Sequence, residues 1–405
     1  MAFNKQLKKL LGRKTALDPN ENSLPTEFVR SNLDGLLESR DFGAASKSRD
    51  MWLRALGPAA GAWSEPIPTL PLLEINRLPS FPSLKKNFFQ NFVADQLKQR
   101  WWRRPSSTAN QHPPLGWVAS LTRACALVIR SRLDDSGRAA ELMHALKQYV
   151  LELQEQLSSG IFHPEADITP YTHETDWITT TRILDSVATV RALIDVYAET
   201  KDKAIMTALE CAQTWARLQN LSSNWIANSS FASIIGEVGA LQRDTRTVSE
   251  SVEEWKNSVM LGQITADERK GCWFGLHPYT PLQHYLLLGD ALALLAAACR
   301  LQIPPARMDP LLVGIVSGFQ PILPLLKSHG AGELDQSFPV FCNAIRWLPR
   351  SLLNQIDSTE TFHIVAAQTI QVATTVEAPM LQPYTLALIL EDLALEHRIE
   401  ELIKR

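Results

Sequence analysis

From residue 84 onward, apolar side chains recur every three to four residues in one segment after another, and no strand-length run alternates strictly. That repeat belongs to helices with buried faces; a strand needs a period of two. The spacing predicts helices over 84–102, 117–133, 136–158, 175–199, 203–218, 225–241, 248–261, 280–301, 309–327, 338–356, 359–374 and 383–404. About a dozen such helices cannot share one four-helix core, and short connections make sequence neighbours antiparallel. The expected class is therefore all-α: an array of antiparallel helical hairpins, either an (α/α) toroid or an incomplete barrel. No repeat of the tetratricopeptide or ankyrin length is present.

Residues 1–83 read as an N-terminal arm and 84–405 as a single large helical domain. Phe42, Ala45, Trp52 and Leu56 mark a helix over 40–56. After it, Pro58, Pro66, Pro68, Pro71, Pro79 and Pro82 interrupt every candidate helix, because proline lacks an N–H and clashes with the preceding turn. Leu70, Leu72, Leu73, Ile75 and Leu78 indicate that this extended stretch packs on the helices.

Composition narrows the function. The chain is 45% apolar and 20% charged, which describes a folded protein. A net charge of -3 argues against a protein built to grip nucleic acid. The basic cluster Trp101-Trp102-Arg103-Arg104 reads as buried indoles flanked by snorkelling arginines. The longest apolar run, 286–298, contains Asp290 and is too short to cross a bilayer, so no stable membrane insertion is expected. The first residues are basic but lack the apolar run of a signal peptide. The five cysteines form no CxxC pair, and an odd, dispersed set fits a reducing compartment. These features predict a cytoplasmic protein. No phosphate-binding glycine loop, dinucleotide fingerprint or nucleophile elbow occurs, and no cofactor or metal is expected.

Two irregular segments carry the chemistry. The first, 262–285, holds Asp267, Glu268, Arg269, Trp273, His277, Tyr279, His284 and Tyr285. Flat aromatic surfaces beside hydrogen-bonding groups suit a sugar ring. Tyr279 or Tyr285 becomes a proton donor or base if a cation such as Arg269 lowers its pKa; otherwise the tyrosines pack against helix ends. Arg269 is either that cation, a fork for a carboxylate, or a surface ion-pair partner. His277 falls in a turn, and His284 caps or lines the following helix. The second segment, 160–177, holds His163, Glu165, Asp167, His173, Glu174 and Asp176. It lacks HExxH spacing and reads as a polar cleft rim rather than a metal site. Between them, Asn224 either caps the helix starting at Trp225 or holds a carboxylate, and Asn228 shares its face. Asp134 and Asp135 are like the aspartate pairs of magnesium-dependent isoprenoid enzymes, but they stand in a polar turn before Ser136-Gly137.

Asn224-Trp225 at the head of an apolar helix, then ITADERKG, then LHPYTPLQHYLLLGDALALLAAA, resembles the alginate-lyase-like (α/α)-toroid polysaccharide lyases over roughly residues 205–300. The resemblance implies β-elimination on a uronic-acid-containing saccharide. Asn224 would neutralise the substrate carboxylate, with Arg269 as a looser match, and Tyr279 would be the catalytic tyrosine. Trp225 stands where the family pattern has a histidine, which leaves His173, His277 or His284 to supply a base. Two other functions compete with an acidic-saccharide lyase: a non-catalytic helical scaffold or binding protein, and a terpene-cyclase-like isoprenoid-diphosphate enzyme.

Overall fold

The structure, a computed structural model, describes residues 93–94, 96–98, 115–131, 133–134, 136–157, 177–219, 225–265, 270–273, 281–328, 330–348, 350–356, 382–389 and five positions within 361–369. Its helices are α1 (Leu115–Arg130), α2 (Arg138–Leu157), α3 (Trp177–Thr200), α4 (Lys203–Leu218), α5 (Trp225–Leu241), α6 (Thr245–Ser258), α7 (Pro281–Arg300), α8 (Pro305–Phe319), α9 (Ala331–Trp347) and α10 (Arg350–Gln355). Short 3-10 turns occupy Met260–Gly262 and Leu323–Ser328, and residues 383–389 are helical. Among the described residues the only extended pairing is an isolated bridge between Gln263 and Trp273. The protein is all-α. The expected arm over 1–83 lies outside the described residues, as does most of the helix expected over 84–102.

Local chemistry sets the helix ends. Helix α6 starts at Thr245, three residues before the apolar pattern begins, because Asp244 caps it. The carboxylate accepts from Arg246 N at 3.0 Å, Thr247 N at 3.1 Å and Thr247 Oγ1 at 2.7 Å, satisfying donors that the first turn leaves open. Helix α9 begins at Ala331 and runs through Pro339, which the sequence placed at a helix start. Proline has no N–H for the carbonyl four residues back. The hydroxyl proton of Thr385 is shared between Asp335 Oδ1 at 2.7 Å and that carbonyl, Asp335 O, at 3.3 Å.

The packing order alternates. Helices α1, α3, α5, α7 and α9 contact one another in succession, while α2 packs on α4 and α6 on α8. Helices α2, α4, α6 and α8 each also lie against the preceding odd helix. Burial follows the same division. Helix α4 buries one stripe, Ile205, Ala208, Leu209, Ala212, Gln213 and Ala216, half-buries Met206 and Trp215, and exposes its other side. That is the 3.6-residue repeat of a helix with one covered face. In α5 twelve of seventeen residues are buried, as expected for a helix with neighbours on several sides. Alternate helices therefore form an inner row, and their partners back it. Residues 382–385 touch two members of that row. Gln382 N and Thr385 Oγ1 donate to Asp335 Oδ1 of α9 at 2.8 and 2.7 Å, and Tyr384 N donates to Ser120 Oγ of α1 at 3.1 Å.

A continuous apolar core fills the space between the rows, with Trp255, Trp347, Tyr285, Phe319, Phe338 and Phe341 among its fully buried side chains. Each large side chain of this kind contributes about 1.5–3 kcal/mol by leaving water. One stretch, Ala306–Leu325, is long and apolar enough to cross a membrane. Half of it is buried within the protein, and Met308, Leu311, Ile315 and Phe319 belong to the core.

Candidate functional site

The inner row carries charge where a purely structural layer would be apolar. On α3, Arg191, Asp195 and Glu199 follow at four-residue spacing and share one face. Arg191 reaches two other helices. Its Nη2 donates to Asp290 Oδ1 of α7 and to Ser233 Oγ of α5, both at 2.6 Å, and its Nε donates to Glu237 Oε1 of α5 at 2.9 Å. Ser230 donates to the other oxygen of Asp290 at 2.9 Å, and Ser233 donates to Glu237 at 2.9 Å. Next to this cluster, Ser229 accepts from Trp255 Nε1 at 3.0 Å. Burial pushes the Asp290 carboxyl up from its ordinary range, with Arg191, Ser230 and Ser229 pulling against it. Burial disfavours the Arg191 cation too, but Glu237 and Asp290 overcome that and hold its charge on. Such pairing is what makes buried charge tolerable.

A second cluster lies one helix further along the row. Arg123 of α1 donates from Nε to Asp195 Oδ2 at 2.8 Å and lies 3.9 Å above the ring of Tyr384. Arg130 stands 3.9 Å from Asp195 and 3.7 Å from Glu199. The two clusters are near enough that Arg191 and Arg123 repel each other. Asp185, also on α3, accepts from the backbone N–H of Gly116 near the start of α1, and burial raises its pKa to about 6. Asp335, which grips Gln382 and Thr385, is raised to about 6 by burial as well. None of these groups lies in the irregular segments that the sequence singled out.

Of the sequence candidates, Asn224, Arg269, His277, Tyr279 and His173 lie outside the described residues. Their frame is described. Trp225, next to Asn224, lies so close over Gly262 that a Cβ there would fall 1.9 Å from the indole. Gln263 then pairs with Trp273 and donates from Nε2 to Gly271 O at 3.1 Å and Gly314 O at 3.0 Å. Ile264 N donates to Cys272 O, and Gly271 N to Ile264 O, both at 2.8 Å. The head of α5 and the 262–273 segment, remote in sequence, are thus held together. Gly271 has φ of +90° and sits where an added Cβ would come within 1.9 Å of Ser317 O. Gly271→Ala should destabilise the protein by about 1–3 kcal/mol. A lowered denaturant midpoint with an unchanged helical spectrum would show it.

His284 is fully buried, with its Nε2 bonded to Gly318 O and its ring centroid 4.8 Å from that of Trp273. Gly318 is in the last turn of α8, whose carbonyls lack helical partners, so His284 serves the end of a neighbouring helix. Burial lowers its pKa to about 4, only partly opposed by the bond to Gly318. The folded form therefore holds it neutral. Its stabilising contribution is complete above the unfolded pKa of ~6.5 and is lost as pH falls toward 4, up to about 3 kcal/mol. Asp185 and Asp335, raised by burial, act oppositely and favour the fold at lower pH. Stability measured from pH 7 to 4 should fall less steeply for His284→Gln than for wild type. Asp134 accepts from Ala140 N at 3.1 Å in the first turn of α2, which is the capping part expected of a polar turn. Asp135, its partner in the magnesium reading, is not among the described residues. No group of three or more metal-ligating side chains occurs among the described residues.

Compared with known protein families, with curated proteins and with solved structures, the chain matches none.

Proposed function

We propose that the inner row closes into an (α/α) toroid and that its interior holds an acidic saccharide, which the protein cleaves by β-elimination. Closure is supported by residues 382–385, which bond to α9 on one side and α1 on the other. The observation that carries the functional reading is the charged interior of the row: Arg123, Arg191, Asp195 and Glu237 are each surrounded by helices, yet keep 13–25% of their side chains accessible. Groups that served packing alone would gain by being apolar.

Elimination on a uronate needs three things. The carboxylate must be neutralised, the proton on the adjacent ring carbon must be removed, and the leaving oxygen must receive a proton as its bond to the ring breaks. Asn224 and Arg269 would neutralise the carboxylate. Tyr279 would take the ring proton and return one to the leaving oxygen, with His173 or His277 as an assisting base. The attachment of Trp225 to Gly262 supports this reading, since it joins the segments flanking Asn224 and Arg269. A panel of uronic acid polymers tests it: a 4,5-unsaturated uronate absorbing in the ultraviolet should accumulate with at least one of them. A non-catalytic scaffold is favoured by one observation, the pairing of Arg191 with Glu237, Asp290 and Ser233 inside the protein. It predicts no product from any polymer.

A further inference from the structure

Arg123 differs from Arg191 in what its guanidinium faces. Arg191 donates from Nε to Glu237 and from Nη2 to Asp290 and Ser233. Among the described residues, Arg123 makes one hydrogen bond, through Nε to Asp195, and rests on the Tyr384 ring. Its Nη edge donates no hydrogen bond to any of these residues, and a quarter of the side chain is accessible. It is nonetheless recessed: burial is the largest influence on its ionisation, and Tyr384 and Asp195 keep it charged. Three helical segments meet here: α1 supplies Arg123, α3 supplies Asp195, and the helical residues 383–389 supply Tyr384.

The charged groups acting on the half-buried Tyr384 are Arg123, Arg346 and Arg130 against Asp195. Burial raises the Tyr384 pKa, so the phenol stays protonated at neutral pH and its hydroxyl can donate. A guanidinium with an open planar edge beside a phenol suits a planar monoanion. Asp195 and the neighbouring Glu199 would repel a doubly charged phosphate more strongly than a carboxylate.

We propose that Arg123 and Tyr384 form a carboxylate-binding site, with the Nη edge of Arg123 as the fork that holds the acid group of the ligand. This rests on the acidic-ligand reading above but not on elimination. The site lies on helices, and neither Arg123 nor Tyr384 belongs to the sequence segments that carry Asn224, Arg269 and Tyr279.

Calorimetric titration of the full chain with glucuronate and with its uncharged methyl ester tests the proposal. Wild type should prefer the acid by about tenfold or more, the scale of a bidentate charged pair. Arg123→Lys keeps a cation beside Asp195 but loses the fork, and the preference should fall to about threefold or less. Asp195→Asn removes the competing carboxylate and should strengthen glucuronate binding severalfold. Equal affinity for acid and ester in wild type, including no binding of either, would overturn the proposal. So would an undiminished preference in folded Arg123→Lys, or unchanged glucuronate affinity in folded Asp195→Asn. The two readings fail separately. A preference without any unsaturated product removes elimination and leaves the site, whereas product without a preference does the reverse.

Discussion

Asp290→Ala should cost about 3 kcal/mol of folding stability, among the largest losses available from one side chain in this protein. Asp290 is 2% exposed and accepts from Arg191 of α3 and Ser230 of α5, so it joins three inner-row helices. Removing one member of a buried pair strands the other, at about 3–5 kcal/mol. Glu237 still holds Nε of Arg191, and the Arg191 side chain remains 18% accessible, so the loss belongs at the lower end. Denaturant unfolding should show a lower midpoint. Replacing the whole network at once, as Arg191→Met with Glu237→Gln and Asp290→Leu, should recover much of the loss, because apolar packing substitutes well for a buried ion pair. If the triple variant is as unstable as Asp290→Ala, the network stabilises by more than pairing.

Helix identity was readable because the apolar period does not depend on partners. The pattern places α4 and α5 at 203–218 and 225–241, where they occur. Boundaries shifted where a polar residue overrode the pattern, as Asp244 does for α6, or where a tertiary partner supplied a missing bond, as Thr385 does beside Pro339. The row order was not readable. Contacts such as Arg123 to Asp195 or Arg191 to Asp290 join residues 72 and 99 apart, and a local period carries no information at that range.

The charged interior left a signal that a search for loop motifs passed over. Arg123 in SLTRACALV, Arg191 in VATVRALID and Asp290 in LLLGDALAL are single charges inside strongly apolar helical text. Asp290 counted in the sequence only as an interruption that kept 286–298 from spanning a membrane. A lone charge in such a setting must find a partner or a solvent-filled space, and all three do so on the inner row. Tyr384 had no such signature; its place becomes evident only once residues 382–385 are seen against α1 and α9.

The elimination mechanism stands most directly on Tyr279. It precedes Thr280 and the helix that starts at Pro281, where proline is compatible with a first turn. Further back in the chain, Gln263 is bonded to Gly271 and Gly314, and Gly271 lies close against Ser317. A group that transfers a proton needs such positioning. Tyr279→Phe removes only the hydroxyl, and turnover should fall by roughly two to four orders of magnitude, the usual scale for losing a proton-transfer group. The decisive measurement takes melting temperature and turnover on the same Tyr279→Phe protein, with the uronic acid polymer that yields the most product. The account predicts an unchanged melting temperature with nearly abolished formation of unsaturated uronate. A variant that melts early, by the roughly 1–3 kcal/mol of a lost buried hydrogen bond, yet turns over at the wild-type rate would contradict it.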